Sequence, residues 1–210
     1  MADADLDVLL INNLADLDAA ARRIRFALEP TIHKAMDEAI KEFREEVGWD
    51  GDEENNWDKY ECWLAPTDWR KPADGSGDSH KCQFELDYGL GDDGPGEEGA
   101  DAFVLTRLLG IADGRLGFRW SRNDVKKRAW RRLVGEQSSE VGALRAKGFE
   151  YEEGEGSFYL PVQVLQAELA EAVQDETPRN ALGPLREKLR ALIEAKPEFD
   201  ALLRATASIE

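Results

Sequence analysis

The chain has 210 residues, with 44 acidic side chains against 27 Lys and Arg and a formal net charge of −17. Hydrophobic residues at 42% are enough for a buried core, which excludes disorder throughout, and so acidic a surface disfavours broad electrostatic binding to a phosphate backbone. There is no run of about 18 apolar residues, the start Met1-Ala2-Asp3-Ala4-Asp5 lacks the basic and apolar regions of a secretory signal, and Cys62 and Cys82 alone make no disulfide framework. The expectation is a cytoplasmic protein with reduced thiols and no membrane segment.

Residues 5–47 read as helical. Leu6, Leu9, Leu10, Leu14 and Leu17 recur at spacings of three and four, followed by Ile24 and Leu28. Pro30 is expected to divide this stretch, because proline lacks an N–H and its ring clashes with the preceding turn. The second helix then carries Ile32, Met36, Ile40, Phe43 and Val47 on one face and stops at Gly48.

From residue 49 the character changes to aromatic and β-branched segments with glycine-rich connections. Four strands are predicted: Tyr60–Leu64, ended by Pro66; Cys82–Tyr88, where apolar and polar residues alternate; Ala102–Leu109; and Leu116–Trp120. The last two face each other across Asp113-Gly114, a step suited to a tight hairpin. The stretches around 67–80 and 89–100, rich in Gly, Asp and Pro, read as long connections. Residues 123–147 read as helix with Asn123 as N-cap, weakened by Gly135 and Gly142. Phe149–Val164 reads as a hairpin, and two helices follow, near 163–175 and 181–205, separated by Thr177-Pro178.

The order predicts an α+β fold: N-terminal helices, a central four-stranded antiparallel meander, and C-terminal helices with a short extra hairpin. The segments are residues 1–48 (helical), 49–122 (sheet with acidic loops) and 123–210 (helical), expected to form one compact domain.

Four groups of residues could carry chemistry. Asp50, Asp52, Glu54, Asn56, Asp58 and Glu61 stand at positions 1, 3, 5, 7, 9 and 12 of a segment that resembles an EF-hand calcium loop over those twelve residues. It departs from that family at Asn55, where glycine makes the sharp turn, and at Trp57, and a strand rather than a helix follows. The plain alternative is a solvated acidic loop. Cys62, His80 and Cys82 could supply two thiolates and an imidazole to zinc if the strands bring Cys62 opposite the other two; otherwise they are small buried thiols.

Glu85 and Asp87 share the polar face of one strand, where paired carboxylates can hold Mg²⁺ for phosphodiester cleavage or form the wet side of the sheet. The one basic block, Arg119, Arg122, Lys126, Lys127, Arg128, Arg131 and Arg132, places seven cations within 14 residues around Trp120 and Trp130. It would clamp phosphate if exposed, or neutralise the chain's own acids if paired inside.

Trp49, Trp57, Trp63 and Trp69 crowd the first strand and serve either a core or a binding face; Trp57, Trp63 and Trp69 are the candidates for contact. No nucleophile elbow, phosphate-binding glycine loop or dinucleotide fingerprint is present. The reading that follows is an acidic intracellular binding or regulatory protein, of inhibitor or antitoxin-like type, without a cofactor, whose partner is another, basic protein rather than nucleic acid. The alternative is a metal-dependent nucleic-acid-processing enzyme using Glu85 and Asp87.

Overall fold

The computed structural model describes residues 3–52, 62–71, 80–87, 103–111, 114–122 and 125–206. The fold is α+β, with N-terminal helices, an antiparallel sheet and C-terminal helices.

The N-terminal stretch is helical from α1 (Asp3–Asn12) through α2 (Leu14–Arg23) and a five-residue π turn, Ile24–Leu28, into α3 (Glu29–Val47). Pro30 does not break it. The proline falls in the first turn of α3, directly after the π turn, where the hydrogen-bond step changes from five residues to four. Its missing N–H therefore lies at a seam in the ladder, and the Thr31 hydroxyl donates instead to the Ala27 carbonyl at 2.7 Å. The far end of α3 stops as its sequence predicts: Gly48 takes φ +67° and its N–H caps the Arg44 carbonyl.

Six strands, not four, form one antiparallel sheet in the order β1-β2-β3-β4-β6-β5: β1 (Asp50–Gly51), β2 (Trp63–Ala65), β3 (Gln83–Asp87), β4 (Leu116–Ser121), β5 (Glu150–Glu152) and β6 (Ser157–Val162). The C-terminal hairpin is part of this sheet, because β6 pairs with β4 along its length, Leu116 opposite Val162 and Trp120 opposite Phe158. The strand predicted at Ala102–Leu109 is instead a short helix, α4 (Val104–Leu108), so it forms no hairpin with β4. Val104, Leu105, Leu108 and Leu109 stand at one-and-four spacing, which suits a helical face as well as a strand. A buried carboxylate decides between them: Glu29 Oε1 accepts the Leu105 N–H at 3.3 Å, satisfying a donor of the first turn.

The predicted helix at 123–147 is two: α5 (Lys127–Glu136) and α6 (Ser138–Ala146). Asn123 lies outside the described residues, and Lys126 precedes the first turn of α5. The last two helices are α7 (Gln166–Gln174) and α8 (Gly183–Thr206), separated by a 3₁₀ turn at Pro178–Leu182.

The inner face of the sheet and α8 make the centre of the core. Phe84, Leu86, Phe118, Trp120, Phe158, Leu160 and Val162 alternate inward along their strands and are at most 2% exposed. Phe199 of α8 reaches into this face, with ring centroids 4.6 Å from Trp120, 5.3 Å from Phe84, 5.2 Å from Phe149 and 5.6 Å from Phe158. The buried face of α3, with Ile32, Met36, Ile40 and Phe43, completes the cluster.

Candidate functional site

The strand alternation that sends aromatics inward sends charges outward. On the outer face the register lines up Glu85, Arg119, Tyr159 and Glu150 across β3, β4, β6 and β5. Arg119 is the hub. Its Nε donates to Asp87 Oδ2 at 2.6 Å, and its Nη1 donates to Glu152 Oε2 and to Ser157 Oγ. Arg115 donates to Glu150 Oε2 at 2.5 Å and lies 3.4 Å from Glu152 Oε1.

Both guanidinium groups pack over the Tyr159 ring, Arg115 at 4.4 Å and Arg119 at 5.3 Å from its centroid. Gly117 makes room for that ring: a Cβ there would lie 2.6 Å from Tyr159 Cζ and 2.5 Å from the Leu160 carbonyl oxygen. Tyr159 is thus 2% exposed although it points away from the core. Burial, reinforced by the Asp87 and Glu152 carboxylates, raises the pKa of its hydroxyl against the opposing pull of the two arginines. Arg119 is likewise held fully protonated by its two carboxylates, which outweigh its burial.

This geometry bears on the Glu85–Asp87 pair. The two do share the outer face, but Asp87 holds Arg119, and Glu85 Oε1 accepts the Gln83 side-chain amide at 2.8 Å. Among the described residues no group of three or more His, Cys, Asp or Glu is arranged to hold a metal ion.

A second polar cluster sits at the β1 end of the sheet. Asp50 accepts two hydrogen bonds from Arg70, at 2.6 Å to Nε and 2.5 Å to Nη2, and His80 Nε2 lies 2.9 Å from its Oδ2. The Arg70 bonds hold the Asp50 carboxyl below the ordinary range, with His80 adding to the effect and burial opposing it. Trp63 covers His80, ring centroids 5.1 Å apart. A carboxylate–imidazole pair can serve a general base, but the His80 side chain is 4% exposed. That suits a structural clamp tying Asp50 to the Arg70–His80 bridge rather than a group that meets substrate.

Asp50 and Asp52 are the members of the calcium-like spacing that the structure describes. Asp52 Oδ2 takes the Trp63 N–H at 3.3 Å and its carbonyl takes Arg44 Nη1. Glu54, Asn56, Asp58 and Glu61 lie outside the described residues. The proposed zinc set is separated: with Leu64 opposite Phe84, the register brings Cys62 level with Leu86 and Cys82 level with Pro66, so the two thiols are not cross-strand partners. Both are buried and neither is in a disulfide, and burial raises the Cys62 thiol well above its usual range.

The basic block divides. Trp120 and Trp130 enter the core, and the Trp130 indole donates to the Gly156 carbonyl at 2.6 Å. Arg119 is spent on the sheet, Arg122 donates to Thr206 Oγ1, and Arg131 donates to the Gly154 carbonyl. Lys127 lies 3.5 Å from Glu155, and Arg132 lies 3.9 Å from Glu136. Lys126 and Arg128 are exposed on the rim of α5.

The tryptophans divide as well. Trp69 belongs to the core: it is 2% exposed, and its indole donates to Asp200 Oδ1 at 2.7 Å. Trp63 is half-buried over His80, and Trp57 lies outside the described residues. Arg70, Arg115, Tyr159 and Asp200 were not legible as cluster members, since each finds its partners on distant strands or helices. The outward parity of Asp87 and of Arg119, each on its own strand, was readable, but their adjacency was not, since a strand was expected at Ala102–Leu109 between them. Comparison with protein-family models, curated proteins and solved structures gave no match to the chain.

Proposed function

We propose that the chain is a non-enzymatic, acidic binding protein of the cytoplasm that engages a basic protein partner, in the manner of an inhibitor or antitoxin. The observation that carries this reading is which charges are paired within the protein and which are left over. The arginines of the sheet and of the bridge at Asp50 are consumed by the protein's own carboxylates, and the carboxylate pair required by an enzyme reading is partly taken by Arg119.

What is left over is acidic. Residues 163–178 contain Glu168, Glu171, Asp175 and Glu176 and no Lys or Arg, and all four acids are exposed. Glu168 and Glu171, three residues apart on α7, and Asp175 at its C-cap form an acidic ridge. Such a ridge attracts a cationic surface and steers its approach.

The test is capture of a binding partner at low salt, release by salt, and measurement of its charge, with a Glu168→Lys/Glu171→Lys/Asp175→Lys variant alongside. A basic partner held by the native chain and lost by the variant is expected. A partner of neutral or acidic charge, or one the variant still holds, refutes the reading. So does Mg²⁺-dependent cleavage of nucleic acid that Glu85→Ala abolishes.

A further inference from the structure

The outer face of the sheet sets an aromatic ring beside carboxylates twice. Toward β5 the ring is Tyr159, and the carboxylates are Asp87, Glu150 and Glu152. The chain's own arginines complete that group: Arg115 and Arg119 lie over the ring and donate to those carboxylates. The second group is Trp63 with Glu85, at the β2 end of the same cross-strand row.

The ladder brings this second group together. Across β2 and β3 the Leu86 N–H donates to the Cys62 carbonyl at 2.8 Å. Trp63 and Glu85, one residue inside that bond, are therefore a non-hydrogen-bonded pair, the kind whose Cα atoms stand closer, at about 4.5 Å. Their side chains leave the sheet next to each other on its outer face. Both are half-buried, so a partner's side chain can reach them.

No arginine of the chain completes the pair. Arg119 stands opposite Glu85 on β4, but its Nε and Nη1 turn to Asp87, Glu152 and Ser157. Glu85 accepts the Gln83 amide, and among the described residues it forms no ion pair. Trp63 packs on His80, and among the described residues no cation lies over its ring. From β3 to β5 the face carries four carboxylates, Glu85, Asp87, Glu150 and Glu152, against the two guanidinium groups of Arg115 and Arg119. Its charge favours a further cation, and Glu85 is where the row has none.

The chemistry of the pair selects the cation. A guanidinium is planar, stacks on an indole and forks two N–H groups onto one carboxylate, whereas an ammonium is a compact charge without the fork. We propose that Trp63 and Glu85 form a subsite for one arginine side chain of the basic protein partner, stacked on the indole and forked onto the carboxylate. The inference rests on the reading of a basic partner and gives that partner a second point of contact, on the sheet rather than on α7.

The experiment is an NMR titration of the isotope-labelled full chain with N-acetyl-arginine amide and N-acetyl-lysine amide, on the native chain and on Glu85→Gln and Trp63→Leu variants. Lysine, of the same charge, controls for attraction to the acidic surface at large. Arginine should shift the Trp63 indole N–H and the Gln83 and Glu85 amides saturably, and bind more tightly than lysine. Glu85→Gln keeps the side chain's size, so its melting temperature should be unchanged. Its arginine binding should weaken about three- to fivefold, as one exposed ion pair is lost. Trp63→Leu should remove the preference for arginine. An indole signal that does not move, equal binding by Glu85→Gln, or lysine bound as well as arginine overturns the proposal.

Partner capture at low salt separates the subsite from the wider reading. A basic partner that Glu85→Gln holds more weakly supports both. One that Glu85→Gln holds like the native chain, while the α7 variant loses it, overturns the subsite alone. A neutral or acidic partner overturns the reading of the function and, with it, the assignment of the subsite to that partner.

Discussion

Replacing Phe199 by alanine tests the claim that one side chain joins α8 to the sheet. Phe199 is fully buried, and its ring lies within 6.4 Å of five other aromatic rings, those of Trp69, Phe84, Trp120, Phe149 and Phe158. Removing a buried phenylalanine costs about 3–5 kcal/mol through lost transfer energy and the cavity left behind. Edge-to-face and tilted ring pairs add roughly 0.5–1.5 kcal/mol each, and the rigid β-sheet wall limits how far the site can collapse. The upper half of that range, about 4–5 kcal/mol, is therefore expected. For a chain of this length each kcal/mol lowers the melting temperature by roughly 2–4 °C, so the fall is about 8–20 °C. Differential scanning calorimetry with urea unfolding reads both quantities. Phe199→Leu, which keeps most of the volume, should lose about half as much. A loss under about 1 kcal/mol for the alanine variant would refute the packing argument.

Three further substitutions probe the outer face and the Asp50 corner. Gly117→Ala should destabilise by about 1–3 kcal/mol, because its Cβ meets the Leu160 carbonyl oxygen and the Tyr159 ring; a neutral result in urea unfolding would show that the ring is not seated there. Arg119→Ala should cost about 1.5–3 kcal/mol, as Asp87, Glu152 and Ser157 lose a shared charged donor. Arg119→Lys should recover only part, since one ammonium cannot reproduce the forked contacts, and full recovery by lysine would contradict this. Asp50→Asn should cost about 1 kcal/mol at pH 7, reduced by the exposure of Arg70. The Asp50 carboxyl is held below its ordinary value when folded, so the unfolded chain takes up its proton first. The stabilisation is complete above about pH 4 and is lost as pH falls through the folded-state value. The variant's deficit should thus shrink in acid, and a deficit that stays constant to pH 2 would rule the mechanism out.

What was legible in the sequence was whatever depends on short-range pattern. β3 and β4 announce themselves by alternation, Gly48 by its position after an amphipathic run, and the turn between α7 and α8 by Thr177-Pro178. Residues 104–108 misled because Val and Leu at one-and-four spacing fit both periods, and the deciding contact is Glu29, 76 residues away. The place of the last hairpin in the sheet follows from the pairing of β4 with β6, which no local signal encodes. The candidate sites fared similarly. The parity of Asp87 and Arg119 was readable, but the clustering of Arg115, Tyr159 and Glu152 around them was not. Periodicity located the N-terminal leucines without showing that the chain leaves them uncovered. A stripe that packs into the core and a stripe left exposed have the same spacing.

The closing of the sheet by α8 has a consequence for biosynthesis. The apolar face of β3, β4 and β6 has its central cover in Leu185–Leu202, which leaves the ribosome well after the strands it covers. At roughly 5–20 residues per second, the ~80 residues between Trp120 and Phe199 take on the order of 4–16 s to appear. During that interval the nascent sheet carries Phe84, Phe118 and Trp120 without their lid. A chain stalled or cut before α8 should be a target for chaperones and proteases, whereas emergence of α8 should protect the whole sheet at once.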